Sequence, residues 1–115
     1  MDINDLRSEI DAIDDQIVFL FAQRMEVAAK VADYKKDRNL PVLVPVRELE
    51  KLQAVTGKAS RELADYVRLL YCVILPLSRA WQHRHSGNTL PFARLKAQVE
   101  NLYQASITPN PNEVD

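Results

Sequence analysis

An apolar stripe at nearly heptad spacing runs through the first 31 residues of the chain. Its members are separated by alternating steps of four and three, with one position skipped: Leu6, Ile10, Ile13, Ile17, Leu20, Val27 and Val31. This spacing places them on one face of a helix. With Asn4 or Asp5 as the cap and Asn39 and Pro41 as the stop, the pattern predicts a helix over residues 5–37, roughly 48 Å long.

A short apolar segment and a second helix follow. Residues 40–44 contain Pro41 and precede Pro45, which favours a packed loop over a strand. Pro45 suits the first turn of a helix. This helix is expected to extend to about Val55 and to stop at Gly57.

A third helix is predicted from a second stripe with the same spacing, namely Leu63, Val67, Leu70, Ile74, Leu77 and Trp81. Ser60 is expected to cap it, Pro76 to kink it mildly, and residues 84–87 to end it. A short fourth helix is expected over about residues 90–104, followed by a disordered tail over 106–115. The sequence therefore predicts an all-α chain with a three-helix domain (1–87) and a C-terminal extension (88–115).

The composition narrows the class of protein. Two glycines in the whole chain argue against a sheet-rich fold and a Gly-rich phosphate loop. A net charge of −1 provides no overall field that would recruit nucleic acid or an anionic membrane. No apolar run reaches the roughly 18 residues of a membrane span, and the acidic start argues against a signal peptide. The single Cys72 excludes an internal disulfide and agrees with a cytoplasmic location.

Two cations interrupt the first stripe. Arg24 fills the skipped position, and Lys35 lies four residues beyond Val31, so the two cations share a face about 16 Å apart. One interpretation is that their long stems cover apolar surface while the charged heads reach water. Arg24, however, has apolar positions on both sides, and a buried guanidinium needs an anionic partner. An anion bound from outside the chain could be that partner of Arg24.

The predicted third and second helices also carry polar side chains of interest. Ser78 and Gln82 are spaced i, i+4, and an uncharged pair there could bind a carboxylate or ether oxygen of a ligand. An interhelical hydrogen bond is an equally common reason for such a pair. Arg47 and Glu48 stand at the start of the second helix and would by themselves be solvated surface.

Arg7 lies beside the first stripe, 17 residues before Arg24. The separation is about 25 Å along one helix, too far for both to hold one small ligand. A helix of this length also cannot bury its whole stripe against the shorter helices of the same chain. If Arg7 contributes to the same site as Arg24, it must come from a second chain. An antiparallel partner helix would satisfy both observations, so the predicted state is a homodimer.

Three segments together resemble the all-helical class of chorismate mutases. LRSEIDAIDDQIVFLFAQRMEVAAKVADYKK resembles the first helix of that family, LPVLVPVRELEKL its P-V-x-D-x-x-R-E segment, and ILPLSRAWQ its S-R-x-x-Q segment. The resemblance covers residues 5 to about 86. It implies an intertwined homodimer that converts chorismate to prephenate without metal or cofactor, a step in aromatic amino acid biosynthesis by the shikimate pathway.

The resemblance also implies roles for residues that bind the two carboxylates of the substrate. Arg24 matches the mid-helix arginine that holds one carboxylate. Arg7 matches the arginine that reaches across from the partner subunit to the other. Ser78 matches a serine that binds a carboxylate.

The other implied roles concern the ether bond and the ring hydroxyl. Lys35 and Gln82 match the pair that binds the breaking ether bond. Arg47 and Glu48 match the R-E pair, whose glutamate accepts the ring hydroxyl. Val44 departs from the pattern, because the family frequently has Asp there.

Two alternatives remain open at this point. An isochorismate pyruvate lyase has the same fold, and an apolar residue such as Val44 favours it, whereas Glu48, Ser78 and Gln82 favour the mutase. A non-catalytic helical dimer would satisfy the stripes alone, but cations at all three of Arg7, Arg24 and Lys35 argue against it.

Overall fold

The computed structural model describes residues 2–109, which form four helices. They are α1 (Ile3–Asp37), α2 (Pro45–Lys58), α3 (Ala64–His85) and α4 (Leu90–Ile107). No strand occurs within these residues. The predicted all-α class is confirmed, and residues 40–44 form the expected irregular connection.

Helix α1 begins earlier than its sequence predicts. Asp2, rather than Asn4 or Asp5, is the N-cap: its Oδ1 accepts from the backbone N–H of Asp5 at 3.0 Å. Asp5 returns the bond, since its Oδ2 accepts from the N–H of Asp2 at 3.2 Å. This reciprocal capping box satisfies two free donors of the first turn, which explains the earlier start. The helix ends as expected, and Asn39 adopts a positive φ of 54° just after it.

Helix α2 extends one turn beyond the predicted end. Pro45 occupies the first turn as expected, but the helix continues past Val55 to Lys58, and Gly57 lies inside its last turn. Thr56 donates from Oγ1 to the carbonyl oxygen of Leu52 at 2.6 Å, which supports the backbone there. Because Gly57 does not take a positive φ, it does not act as the stop that its residue type suggested.

Helix α3 begins later than predicted. Residues 61–63 form a turn in which the N–H of Leu63 donates to the carbonyl oxygen of Ser60 at 3.0 Å. Ser60 therefore contributes its backbone and is not the N-cap, which is Leu63. Pro76 lies in the helix interior, and the helix continues through it to His85.

Helix α3 is the central element, because α1, α2 and α4 each pack against it. A long-range hydrogen bond fixes the α1–α3 pair: Trp81 donates from Nε1 to the carbonyl oxygen of Met25 at 3.0 Å. The buried apolar residues are mostly small, which allows the helix backbones to approach closely: Ala28, Ala32, Val55, Leu75 and Ala80.

The first half of α1 extends away from the other helices. Every residue from 2 to 20 is exposed, including the stripe residues Ile13 (54 % exposed) and Leu20 (60 %), and Phe19 (62 %) beside them. The molecule is accordingly elongated, with extents of 56 × 34 × 25 Å. In the second half of α1 the buried residues are Ala28 and Ala32, whereas the stripe residues Val27 (56 %) and Val31 (38 %) remain exposed.

Helix α4 runs three residues past the predicted end at 104. Ser106 and Ile107 are helical, so the expectation of disorder from residue 106 is wrong at these positions. The hydroxyls of Ser106 and Thr108 bond to the carbonyl oxygens of Tyr103 and Gln104, which satisfies groups of the last turn. The rest of that expectation, for residues 110–115, lies outside the described residues.

None of the helices described has the length and apolar content needed to cross a membrane.

Candidate functional site

A cavity of about 530 Å³ lies where the second half of α1, the connection after it, α2 and α3 meet. Its walls combine apolar and charged side chains. Val31, Val42, Val44 and Leu75 provide the apolar part. The basic residues among the lining are Arg24, Lys35, Arg47, Lys51 and Arg79, and the acidic one is Glu48. This excess of positive charge is suited to a small ligand with more than one negative charge.

Helix α1 contributes Arg24 and Lys35, both half-buried. Lys35 donates from Nζ to the carbonyl oxygen of Val42 at 2.7 Å. None of the ion pairs within residues 2–109 includes Arg24. A partly buried guanidinium without an ion-pair partner among residues 2–109 is available to an external anion.

The connection after α1 forms one wall of the cavity. The N–H of Leu40 donates to the carbonyl oxygen of Lys35 at 2.8 Å, and Asn39 turns the chain with its positive φ. This turn brings Val42 and Val44 back toward Lys35. Val44 presents an apolar side chain where the resemblance leads one to expect a carboxylate.

The first turn of α2 contributes Arg47 and Glu48. The side chain of Arg47 is 68 % exposed and its Nη1 lies 3.8 Å from Oε2 of Glu50, a loose pair on the surface. Glu48 is more enclosed, and its Oε2 lies 2.7 Å from Nε of Arg79 on α3. The two neighbours therefore differ: Glu48 is held against α3, whereas Arg47 lies at the rim.

Helix α3 contributes two buried polar side chains, Ser78 (8 % exposed) and Gln82 (7 %). The Oε1 atom of Gln82 is inaccessible to solvent and has no hydrogen-bond partner among the described residues. Leaving a buried polar atom without a partner costs about 1–3 kcal/mol. Because Oε1 can only accept, a hydrogen bond from this side chain to an ether or carboxylate oxygen of a ligand would have to come from its Nε2.

Seven of the eight residues predicted for the site line this one cavity: Lys35, Gln82, Glu48, Arg24, Arg47, Ser78 and Val44. Arg7 does not. It lies on the exposed first half of α1, about 25 Å along the helix from Arg24. The chain does not bring Arg7 to its own cavity.

Five lining residues were not among the predicted ones, and two of these five are charged. Lys51 lies one helical turn after Glu48 on α2, and Arg79 lies between Ser78 and Gln82 in sequence. The i, i+3 spacing from Glu48 to Lys51 was a usable signal. No sequence signal paired Arg79 with Glu48, because that contact joins two helices.

The chain is similar in sequence to known proteins. Residues 6–83 match the family described as chorismate mutase type II. A T-protein of Haemophilus influenzae is 44 % identical over 52 residues, which are 45 % of this chain and 14 % of that protein. A bifunctional chorismate mutase/prephenate dehydratase of Aquifex aeolicus is 37 % identical over 54 residues, 47 % of this chain and 15 % of the relative.

A T-protein of Enterobacter agglomerans is 40 % identical over 47 residues, 41 % of this chain and 13 % of that protein. The matched segments thus span about one seventh of these curated relatives. No solved structure gives a significant match. The family match covers most of the chain, including every residue of the predicted site, and the chain belongs to the chorismate mutase type II family.

Proposed function

We propose that this protein is a chorismate mutase, which converts chorismate to prephenate by a [3,3]-sigmatropic rearrangement. The observation that carries the proposal is that Arg24, Lys35 and the buried amide of Gln82 line one cavity. The family match supports the same reaction. Because the rearrangement is pericyclic, it needs no nucleophile, and we invoke neither metal nor cofactor.

The first requirement of this reaction is orientation. Chorismate is a flexible dianion, and it rearranges only from a compact conformer that brings the two reacting carbon atoms together. Arg24, assisted by the Ser78 hydroxyl, holds one carboxylate. Arg7 of a partner subunit holds the other. Fixing both ends of the substrate lowers the entropic part of the barrier.

The second requirement is electrostatic. Negative charge develops on the ether oxygen as its bond to the ring breaks, and Lys35 and Gln82 donate to that oxygen. Lys35 uses one N–H on the carbonyl oxygen of Val42, which leaves two N–H groups for the substrate. Donors that are fixed before the reaction stabilise the transition state without reorganising.

The third requirement is recognition of the ring hydroxyl. Glu48 accepts this hydroxyl, and Arg47 beside it contributes positive charge at the cavity rim. Since one carboxylate oxygen of Glu48 faces Arg79, the other is left for the substrate. Val44 supplies no second acceptor.

The site is completed by a second copy of the chain. The exposed apolar stripe over residues 2–20 supports an antiparallel homodimer, since isolated apolar stripes of this length are rarely left in water. In such a dimer the first half of α1 covers the partner, which brings Arg7 toward the partner's cavity. A cytoplasmic location, favoured by the single cysteine, completes the proposal.

An isochorismate pyruvate lyase is the second candidate, and the observation that favours it is the apolar Val44 on the cavity wall. Glu48 argues for the mutase, because it provides an acceptor for the hydroxyl of chorismate.

A product assay separates the candidates. Purified full-length protein is incubated with chorismate or with isochorismate, and the products are identified by chromatography and mass spectrometry. Prephenate from chorismate supports the mutase. Salicylate and pyruvate from isochorismate identify the lyase. Consumption of neither substrate contradicts both and favours a non-catalytic helical dimer.

A further inference from the structure

We propose that Arg79 of α3 is a positioning residue that holds the Glu48 carboxylate in place, a role that rests on the proposed function of Glu48. Nε of Arg79 lies 2.7 Å from Oε2 of Glu48, and the two side chains are 31 % and 23 % exposed. The other ion pairs within residues 2–109 each join two residues of one helix. The Arg79–Glu48 pair, by contrast, connects α3 with α2.

Glu48 needs such a restraint because of its surroundings. It stands in the first turn of α2, and Lys51 lies three residues further along the same helix and also lines the cavity. Residues spaced i, i+3 on a helix are neighbours, so Lys51 is a second cation toward which the carboxylate would turn if Arg79 were removed. Arg79 comes from the facing helix and draws Oε2 toward α3, which leaves Oε1 for a hydroxyl of the ligand.

The pair is poorly suited to a purely structural role. Nε of Arg79 is inaccessible to solvent, and its N–H is not aligned with the carboxylate for a hydrogen bond. Although Nε itself is buried, the two side chains as a whole are 31 % and 23 % exposed, and partly exposed ion pairs without an aligned hydrogen bond contribute little to folding. Removing Arg79 should therefore change the position of Glu48 much more than it changes the stability of the fold.

A double-mutant cycle tests this role. The variants are Arg79→Gln, Glu48→Gln and the double variant, with Arg68→Gln as the control, since Arg68 is an exposed arginine of the same helix outside the cavity. We measure kcat and KM for chorismate, together with the thermal midpoint of each full-length variant. Arg79→Gln should lower kcat/KM about tenfold, which corresponds to about 1.4 kcal/mol.

The deciding result is whether the effects of Arg79→Gln and Glu48→Gln on kcat/KM depend on each other. If Arg79 acts through Glu48, adding Arg79→Gln to Glu48→Gln changes kcat/KM less than about twofold. The thermal midpoint should stay within about 4 °C of the wild type. A tenfold loss that persists in the Glu48→Gln background would mean that Arg79 acts on the substrate directly, and it would overturn the proposal. So would an Arg79→Gln variant as active as wild type.

Crystal structures of the wild type and of Arg79→Gln separate this proposal from the proposed function. If the wild type consumes no chorismate, the mutase assignment fails, but the conformation of Glu48 still reports on Arg79. A Glu48 carboxylate that turns toward Lys51 in Arg79→Gln supports positioning. An unchanged Glu48 contradicts it.

Discussion

Lys35 donates a hydrogen bond of 2.7 Å from Nζ to the carbonyl oxygen of Val42, seven residues further along the chain. The backbone of Lys35 accepts a second bond of 2.8 Å from the N–H of Leu40. The last turn of α1 and the returning connection are thus joined at one residue. A lysine side chain is otherwise flexible, and this restraint fixes its ammonium group beside the cavity before any ligand binds.

Replacing Lys35 by Met should therefore remove a pre-positioned donor. We expect kcat/KM for chorismate to fall about 10²–10³-fold, the usual cost of losing one donor to a developing oxyanion. Loss of the bond to Val42 should also lower the free energy of unfolding by about 1 kcal/mol. Lys36→Met is the control, since Lys36 is exposed and does not line this cavity. Steady-state kinetics and urea unfolding measure both effects, and a loss below tenfold would contradict the role of Lys35.

Arg24 lines the cavity without an ion-pair partner among the described residues. Arg24→Ala should lower kcat/KM at least tenfold, which is about 1.4 kcal/mol of lost transition-state stabilisation. Lys30→Ala, at an exposed position of the same helix outside this cavity, should retain activity. An Arg24→Ala variant with unchanged turnover would favour a non-catalytic dimer.

Much of the fold could be predicted because it follows from local periodicity. The stripe from Leu6 to Val31 predicts the long first helix, and the stripe from Leu63 to Trp81 the third. The errors lie at helix ends. Asp2 replaces the expected caps because it forms a reciprocal box with Asp5, and such alternatives are close in energy.

Most of the cavity lining could also be predicted, in this case from polar residues that stand within or beside the apolar stripes. The i, i+4 spacing of Ser78 and Gln82 and the interruption of the stripe by Arg24 are visible in the sequence. Arg79 was missed because its partner Glu48 lies on another helix, 31 residues away in the chain. A contact of this kind depends on how α2 packs on α3, which local patterns do not specify.

Gln82 is an amide that does not titrate, so a variant that titrates at this position should make activity depend on pH. In Gln82→Glu, only the protonated carboxyl can donate to the ether oxygen, whereas the ionised carboxylate repels the charge that develops there. Activity of this variant should rise as pH falls, because burial and acid both favour the protonated form.

Rates of the wild type and of Gln82→Glu between pH 4.5 and about 8 test this expectation. The control is Gln53→Glu, at an exposed position of α2 outside the cavity, which should follow the wild-type profile. A Gln82→Glu variant whose activity increased toward alkaline pH would contradict the assignment of Gln82 as a donor.

Mixing two inactive variants tests whether Arg7 acts in the partner's cavity. If Arg7 acts in the partner's cavity, one site of a heterodimer of Arg7→Ala and Arg24→Ala chains carries both substitutions and the other site carries neither. After random exchange of an equimolar mixture, half of the dimers are mixed, so about one quarter of the sites regain wild-type composition. Activity should rise toward about one quarter of wild type after unfolding and refolding the two variants together. If both residues served the same chain's site, the mixture would stay as inactive as its components, and refolding each variant alone provides that baseline.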